Sequence, residues 1–567
     1  MSLQISGLAS GMDIDSMVSE LMKAEKTKLT KLEQDKQIIE WKQERYNDLN
    51  KDFANFVLET REDFGLDNGV TVSSALDRSD WVKSATSSDE SVVSVSSNTS
   101  AIDGSYDIKV TQLADNFSAA SDSNISSGDK TSLATQFSLD SDNDVIEFTI
   151  ETEDGTKSET FTYSSTSESK LNETTLKDVV SDINNADLGV TAIYESEIDR
   201  FFLQTDDTGK SNNVKIHQGI YDDGAGVYVK DANHIDFLSG AGDKLKLGLT
   251  DGDLYEGQNA KMNFNGATGI EKQSNNFEIN GINFNLKGTS ADNITVNVDT
   301  DVDSVYEKIE GFIEKYNKLV VDTRKILGEK RYRDYKPLSD EEKQAMSDDN
   351  VELWEEKAKS GLLKNDMIIQ GTMDTVRSGM YQEVKGVDGQ FDQLTEIGIT
   401  TESWSSGTSY GKLTIKDPDQ LKEAISEDVD SVLELFFKQP EDVTLRTSFE
   451  KNLTSDQIKQ KREESGLINR LYDNLAGGMQ QIIAKSGPGD SADLYRDVKA
   501  EMLLKFVSDF NSISMLTEDM FNVEKRIVDM NDRLNRVESR YYSEFTAMEQ
   551  AINKMNSQSS WLSQQMG

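Results

Sequence analysis

Asp140, Asp142, Asp144 and Glu151, in "DSDNDVIEFTIE", occupy positions 1, 3, 5 and 12 of a calcium-binding loop, where carboxylates would supply oxygen ligands. Position 6 of such a loop needs glycine for its sharp turn. Val145 stands there, and a strand pattern follows where a helix belongs. The stretch therefore reads as an acidic turn before a hairpin. Gly407-Thr408-Ser409-Tyr410-Gly411 has the G-x-S-x-G spacing of a nucleophile elbow, which needs a histidine later in the chain. The two histidines, His217 and His234, both come earlier, so the order forbids the triad and a loop into the strand Lys412 to Ile415 is expected. Neither histidine belongs to a metal motif, and without cysteine no thiolate zinc site can form. Carboxylates are too numerous for a catalytic pair to stand out, and no phosphate-cradling loop is present. These residues predict no enzyme and no cofactor.

Composition narrows the partners. The 567 residues predict three to five domains. A net charge of −43 opposes nucleic acid and anionic membranes, which both need clustered Lys and Arg. No apolar run approaches the roughly 18 residues of a membrane span, so no membrane insertion is expected. The start, "SGLASGMDIDSMVSELMKAE", has neither the basic region nor the apolar core of a secretory signal. Its glycine-rich first part suits passage through a narrow export channel, with Leu3, Ile5 and Leu8 as apolar handles for a partner.

The chemistry-poor termini are rich in helix signals. Asp13 or Asp15 can cap a helix that meets no Gly or Pro before Gly65. Val18, Leu32, Ile39, Tyr46 and Phe53 fall on one heptad seam, with Met22, Leu29 and Val57 on the other; Lys36, Gln43 and Asn50 are polar breaks that cost stability and can fix register. Fifty such residues make a rod of roughly 75 Å. At the other end Leu516, Met520, Val523, Ile527, Met530, Leu534, Val537 and Tyr541 alternate steps of four and three. A second step of four then leads to Phe545, Met548, Ile552 and Met555, a stutter that locally unwinds a supercoil. Stripes of this length predict coiled coils, between molecules or end to end.

Between the ends the texture becomes Ser-, Thr-, Asn- and Gly-rich with short alternating strands. Phe277 and Ile279 lead through Asn280-Gly281 to Ile282, Phe284 and Leu286, the pattern of a two-residue hairpin. Ile146, Phe148 and Ile150 should pair towards Phe161 and Tyr163, and Leu176 to Asn184 reads as a short helix before a strand at Val190 to Tyr194. From 304, Val305, Ile309, Phe312, Ile313, Tyr316 and Leu319 line one helix face. The expected fold is a multidomain α+β chain: a terminal coiled-coil leg (1–45, 516–567), a helix-rich domain (46–78, 304–515), a mainly antiparallel β-rich domain (79–115, 257–303) and an outer inserted β domain (116–256). Both helical flanks must return to one place, giving a nested hairpin with the β domains outermost.

Several segments resemble one family. "ISGLASGMDIDSMVSELMKAE", "LEQDKQIIEWKQERYNDLN" and "GSYDIKVTQLA" are similar to the start of flagellar filament cap proteins, also called hook-associated protein 2. "EKRYRDYKPLSDEEKQAMSDDNVELWEEKAKSGLLKND" (329–366) resembles an insert of the Gram-positive branch, and "YGKLTIKDPDQLKEAISEDVDSVLELF" and "FTAMEQAINKMNSQSSWLSQQMG" complete the likeness. "TLKDVVSDINNADLGVTAIY" resembles a repeat shared with flagellins. The resemblance implies a non-enzymatic, ring-shaped homo-oligomer at the filament tip that guides exported flagellin into place and is required for motility. It implies terminal helices as legs and flagellin-like β domains as a plate. It further implies type III export without a cleaved signal, contact with hook-filament junction proteins, and a cytoplasmic chaperone on the C-terminal helix. A junction protein, or a secreted coiled-coil adhesin or tail fibre, is the alternative.

Overall fold

Between residues 14 and 63 the chain has no Gly or Pro, so nothing interrupts one 50-residue helix, α1 (Ile14–Asp63). Asp13 Oδ1 caps it by accepting from Ser16 N at 3.0 Å. Gly65, at φ 68°, ends it in the left-handed region that glycine enters without strain. The computed structural model describes residues 13–66, 79–152, 155–222, 225–402, 411–448, 450–487 and 514–566. The chain divides into two units, Met1–Leu76 with Val302–Gly567, and Asp77–Asp301.

The second unit is strand-rich and holds two cores. In the first, a five-stranded antiparallel sheet runs β1 (Lys83–Ser87), β18 (Ile294–Thr300), β3 (Gly104–Gln112), β14 (Ala260–Phe264), β15 (Ala267–Lys272). A three-stranded sheet, β16 (Asn276–Ile279), β17 (Ile282–Leu286) and β2 (Val93–Ser97), shares its core through Phe264, Phe284 and Val296. The hairpin expected at Asn280-Gly281 is there: Ile279 pairs with Ile282 and Phe277 with Phe284. Both turn residues have positive φ, 52° and 77°, as a type I′ turn demands. A Cβ on Gly281 would meet Ala101 N at 2.5 Å and Asn98 Oδ1 at 2.6 Å. Gly281→Ala is therefore expected to lower the unit's stability by about 2 kcal/mol, read as a drop in urea midpoint.

The second core lies between residues 117 and 255, around Phe148, Phe201 and Phe237. β5 (Val145–Thr152) lies between β6 (Lys157–Tyr163) and β9 (Asn213–Gln218), with β13 (Leu254–Glu256) beyond β9; β12 (His234–Ile235) joins β5 in parallel. Ile146 pairs with Tyr163 and Phe148 with Phe161, the register read from the alternation. A three-stranded sheet of β4 (Ser118–Ala120), β8 (Arg200–Thr205) and β7 (Val190–Glu195) is covered by α2 (Leu176–Asn185), and β10 (Ile220–Asp222) pairs with β11 (Val227–Val229) as a ribbon. The Asp115–Gln258 bridge lies where the chain passes from one core to the other.

The helical unit returns the chain beside α1. α3 (Val302–Gly328) buries the face read from its sequence, including Val305, Phe312 and Tyr316. It is followed by α4 (Asp348–Lys359), α5 (Met367–Tyr381), α6 (Pro418–Glu427), α7 (Val429–Phe437), α8 (Ser455–Glu464), α9 (Leu467–Ser486) and α10 (Met515–Met566). A small ribbon joins β19 (Ile399–Thr401) and β20 (Leu413–Ile415). Phe64 stacks edge-on to Phe437 at 4.8 Å, and Phe312 meets Phe436 at 6.1 Å, tying the end of α1 to α3 and α7. The boundary expected at residue 45 is not a break, because α1 passes it unbroken.

Candidate functional site: the paired terminal helices

The two ends of the chain meet in one molecule. Lys36 Nζ pairs with Glu524 at 2.9 Å, and Gln43 Nε2 donates to Thr517 Oγ1 at 3.3 Å. Seven residues forward on α1 thus correspond to seven back on α10, so the helices are antiparallel and in register. Val18 and Met22 bury against Leu534 and Val537, with Leu29, Met530, Tyr541 and Phe545 packed around them. Burial of these side chains is what a two-helix pair has to offset the ordering of so long a helix. Ile14 and Tyr542 also join this seam, although the heptad reading passed over both.

The polar breaks are register marks. Gln43 Nε2 also reaches Ser486 O at 3.1 Å, joining α1 to the end of α9. Asn50, buried, donates to Met479 O at 3.4 Å. Glu524 raises the pKa of Lys36 by accepting its hydrogen bond. Each break therefore has a partner on α9 or α10 and resists a slip of the helices. Leu32 and Tyr46 are buried and Ile39 half-buried; Tyr46 donates to Asp366 Oδ2 at 2.5 Å, which with burial raises its phenol above the ordinary value.

On α10, Leu516 is buried, while Met520, Val523, Ile527 and Ile552 are half-buried. Met548 and Met555 are 38% and 60% exposed, together with Trp561 and Leu562. The physical reason is length. α10 continues past the residues that face Ile14, where α1 as described begins, so the last part of its stripe has no described cover. Leu3, Ile5 and Leu8 lie outside the described residues.

A clasp, residues 329–366, holds the middle of α1. Arg45 pairs with Glu329, Gln34 Nε2 donates to Pro337 O at 2.9 Å, and Lys359 Nζ lies 5.3 Å over the Trp41 ring.

The chemistry-bearing residues are dispersed. Asp140 accepts from Asp142 N (3.1 Å) and Asn143 Nδ2 (2.8 Å), and Asp144 from Asp140 N (2.8 Å), so the turn closes on itself. Those bonds lower the pKa of Asp140. Glu151 sits seven residues along β5 from Asp144, about 23 Å in a strand, and meets Lys215 at 3.4 Å and Tyr228 at 3.2 Å. The four carboxylates at calcium-loop spacing therefore do not converge, and no group of three or more potential metal ligands occurs among the described residues. Ser409 lies outside the described residues; Gly411 O accepts from Tyr316 at 3.5 Å.

His217 stacks flat on Tyr228, centroids 3.7 Å apart, and His234 Nε2 bonds Gln218 Oε1 at 3.1 Å. Burial lowers the pKa of both. A depressed histidine contributes stability that is complete above its unfolded value of about 6.5 and lost as pH falls below it. The strand-rich unit should thus lose thermal stability between about pH 7 and 5, less so in His217→Gln/His234→Gln.

No catalytic constellation forms among the described residues, and the dominant feature is a helix pair closing the two chain ends. The fold is that of a multidomain α+β protein. The profile of the flagellar hook-associated protein 2 C-terminus matches residues 257–557, and that of its N-terminus residues 10–117. The chain belongs to the flagellar hook-associated protein 2 family. It is 30% identical over 577 residues to flagellar hook-associated protein 2 of Halalkalibacterium halodurans, covering 99% of each chain. The A-type flagellar hook-associated protein 2 of Pseudomonas aeruginosa is 24% identical over 588 residues, covering 99% of this chain and 97% of that one. Among solved structures, the flagellar cap protein FliD D1-D2-D3 domains from Escherichia coli align with a TM-score of 0.49 at 19% identity, over 76% of this chain and 95% of that one.

Proposed function

We infer that this chain caps the growing tip of a bacterial flagellar filament and orders the polymerisation of exported flagellin, without catalysis. Full-length kinship to hook-associated protein 2 supports the reading. The observation that carries it here is the antiparallel pairing of α1 with α10, because it builds a rod from segments that lie at opposite ends of the sequence. Such a rod works as a leg standing on the filament while copies associate side by side. Its seam is narrow and broken by Lys36 and Gln43, so individual leg contacts are weak enough to step aside for each incoming subunit.

The exposed end of α10, with Met548, Met555, Trp561 and Leu562, suits a cytoplasmic export chaperone before secretion and flagellin or a hook-filament junction protein afterwards. Export then proceeds by the flagellar type III route. Complementation tests the function. Cells lacking their own cap should regain full-length filaments and swarming when supplied with this chain. Electron microscopy of the purified protein should show short rings with legs. Long filaments formed by the protein alone, or cells that remain bare, would overturn the reading.

A further inference from the structure

Carboxylates outnumber Lys and Arg by 103 to 60 in this chain, so a short run in which cations dominate stands out. The clasp breaks that pattern. Its run "KRYRDYK" (330–336) carries four cations against one carboxylate, Asp334, and Lys357 of α4 stands beside it. Among the described residues Lys330, Arg333 and Lys357 form no ion pair, and each is exposed. They are held by rings instead. Lys330 Nζ lies 4.7 Å over Tyr332 and Lys357 Nζ 4.9 Å over Tyr335, while Tyr335 packs on Trp354 at 4.5 Å. Arg331 behind them is occupied by the carbonyls of Ala358 and Ser360, and burial together with Arg333 lowers its pKa. The result is a fixed cationic face, preorganised for an anionic partner.

The same stretch of α1 carries the opposite defect. Glu44, Asp48 and Asp52 are exposed and spaced by four, which places like charges side by side on the helix, although Lys359 pairs with Glu44 at 3.7 Å. Burial first, then Glu44 for Asp48, and Asp48 with Asp322 for Asp52, hold these two carboxyls above the ordinary range. Lys51, Arg45 and Lys359 offset Asp48 only in part, as Lys318 does Asp52. Both charge defects lie within about 17 Å along α1, counting helical rise from Trp41 to Asp52.

We propose that the cationic, aromatic face of residues 330–357 docks on the Glu44–Asp48–Asp52 stripe of a second copy of this chain. Charge complementarity selects that occupant: each copy carries both halves at one level of its leg, so neighbours meet side by side. The contact is heterologous, one patch against a different one, which is what a closed ring needs. It rests on the reading above that copies associate, and adds where they touch.

Sedimentation of the full chain tests it. Lys330→Glu/Arg333→Glu/Lys357→Glu and Asp48→Lys/Asp52→Lys should each weaken self-association about tenfold, as a few exposed ion pairs would. An equal mixture of the two reversed proteins should regain wild-type association, because reversed patch then meets reversed stripe. Asp48→Asn/Asp52→Asn, which adds no charge, guards against misfolding and should weaken association less than the reversal. Raising NaCl from about 0.05 to 0.5 M should weaken the wild type similarly. Reversed copies that associate like wild type, a mixture that fails to recover, or a wild type that stays monomeric would each overturn the contact. Filament growth restored by wild-type protein in cap-less cells would leave the capping reading standing in all three cases.

Discussion

Arg470→Ala should lower the stability of the helical unit by about 3–5 kcal/mol, the largest loss expected from any single truncation here. Arg470 is 1% exposed, yet its hydrogen bonds all go to backbone carbonyls, and the Glu463 carboxylate offsets its burial only in part. From α9 its guanidinium donates to Gly379 O (3.3 Å), Gln382 O (2.6 Å) and Glu383 O (2.7 Å) at the end of α5, and to Glu463 O (3.1 Å) near the end of α8. The last carbonyls of a helix have no partner within it and carry its negative pole, so a buried cation there does two jobs. Burial lowers its pKa to about 10, far enough above neutral for it to stay charged at pH 7. Alanine would take their side-chain donor from the carbonyls of Gly379, Gln382 and Glu383, leave Glu463 O with Lys385 N alone, and open a cavity between α5 and α9. Lysine keeps the charge but not the planar fork, and should recover about half of the loss. The check is the urea midpoint of helical ellipticity; a wild-type midpoint for Arg470→Ala would mean that water satisfies those carbonyls without cost.

Arg470 also marks where the sequence stops being legible. In "GLINRLYDNLAGG" it looks like one polar residue on an amphipathic helix. Its value depends on carbonyls about ninety residues earlier, and no local pattern encodes such a pairing. By contrast, features fixed by neighbours in sequence were readable to the residue. The Asn280-Gly281 turn is an example, because few residues tolerate positive φ at both positions. The stop of α1 at Gly65 and the β5–β6 register follow from equally local rules. The calcium-loop spacing shows the same limit: it fits a loop, but the chain continues as a strand that carries Glu151 away from Asp144. The heptad stripes announced that the terminal helices needed partners. They could not tell an intramolecular antiparallel partner from an intermolecular one, since apolar seams look alike in both.

That pairing leads to the second large effect, on assembly. Val18→Asp combined with Val537→Asp should open the leg and abolish filament growth while the strand-rich unit stays folded. Val18 is 1% exposed and Val537 9%, and both lie in the same small cluster. Placing two carboxylates there costs roughly 3 kcal/mol or more for each, because neither would find a cation within the seam. The leg has little to spend against that cost: its cluster contains only five buried apolar residues, Ile14, Val18, Met22, Leu534 and Val537. Farther along, α1 packs on α9 and α3 through Phe53, Phe56 and Val57, so the helical unit should keep its fold. Hydrogen exchange should quicken in residues 14–32 and 527–545 and remain slow in α9. In cells, the double variant should be exported yet leave short or absent filaments. Deleting residues 1–45 should act likewise, but that truncation also removes Trp41, which holds the clasp through Lys359. The point variants therefore isolate the seam: normal filaments from Val18→Asp/Val537→Asp would show that the leg does not work as a paired rod, whatever the truncation does.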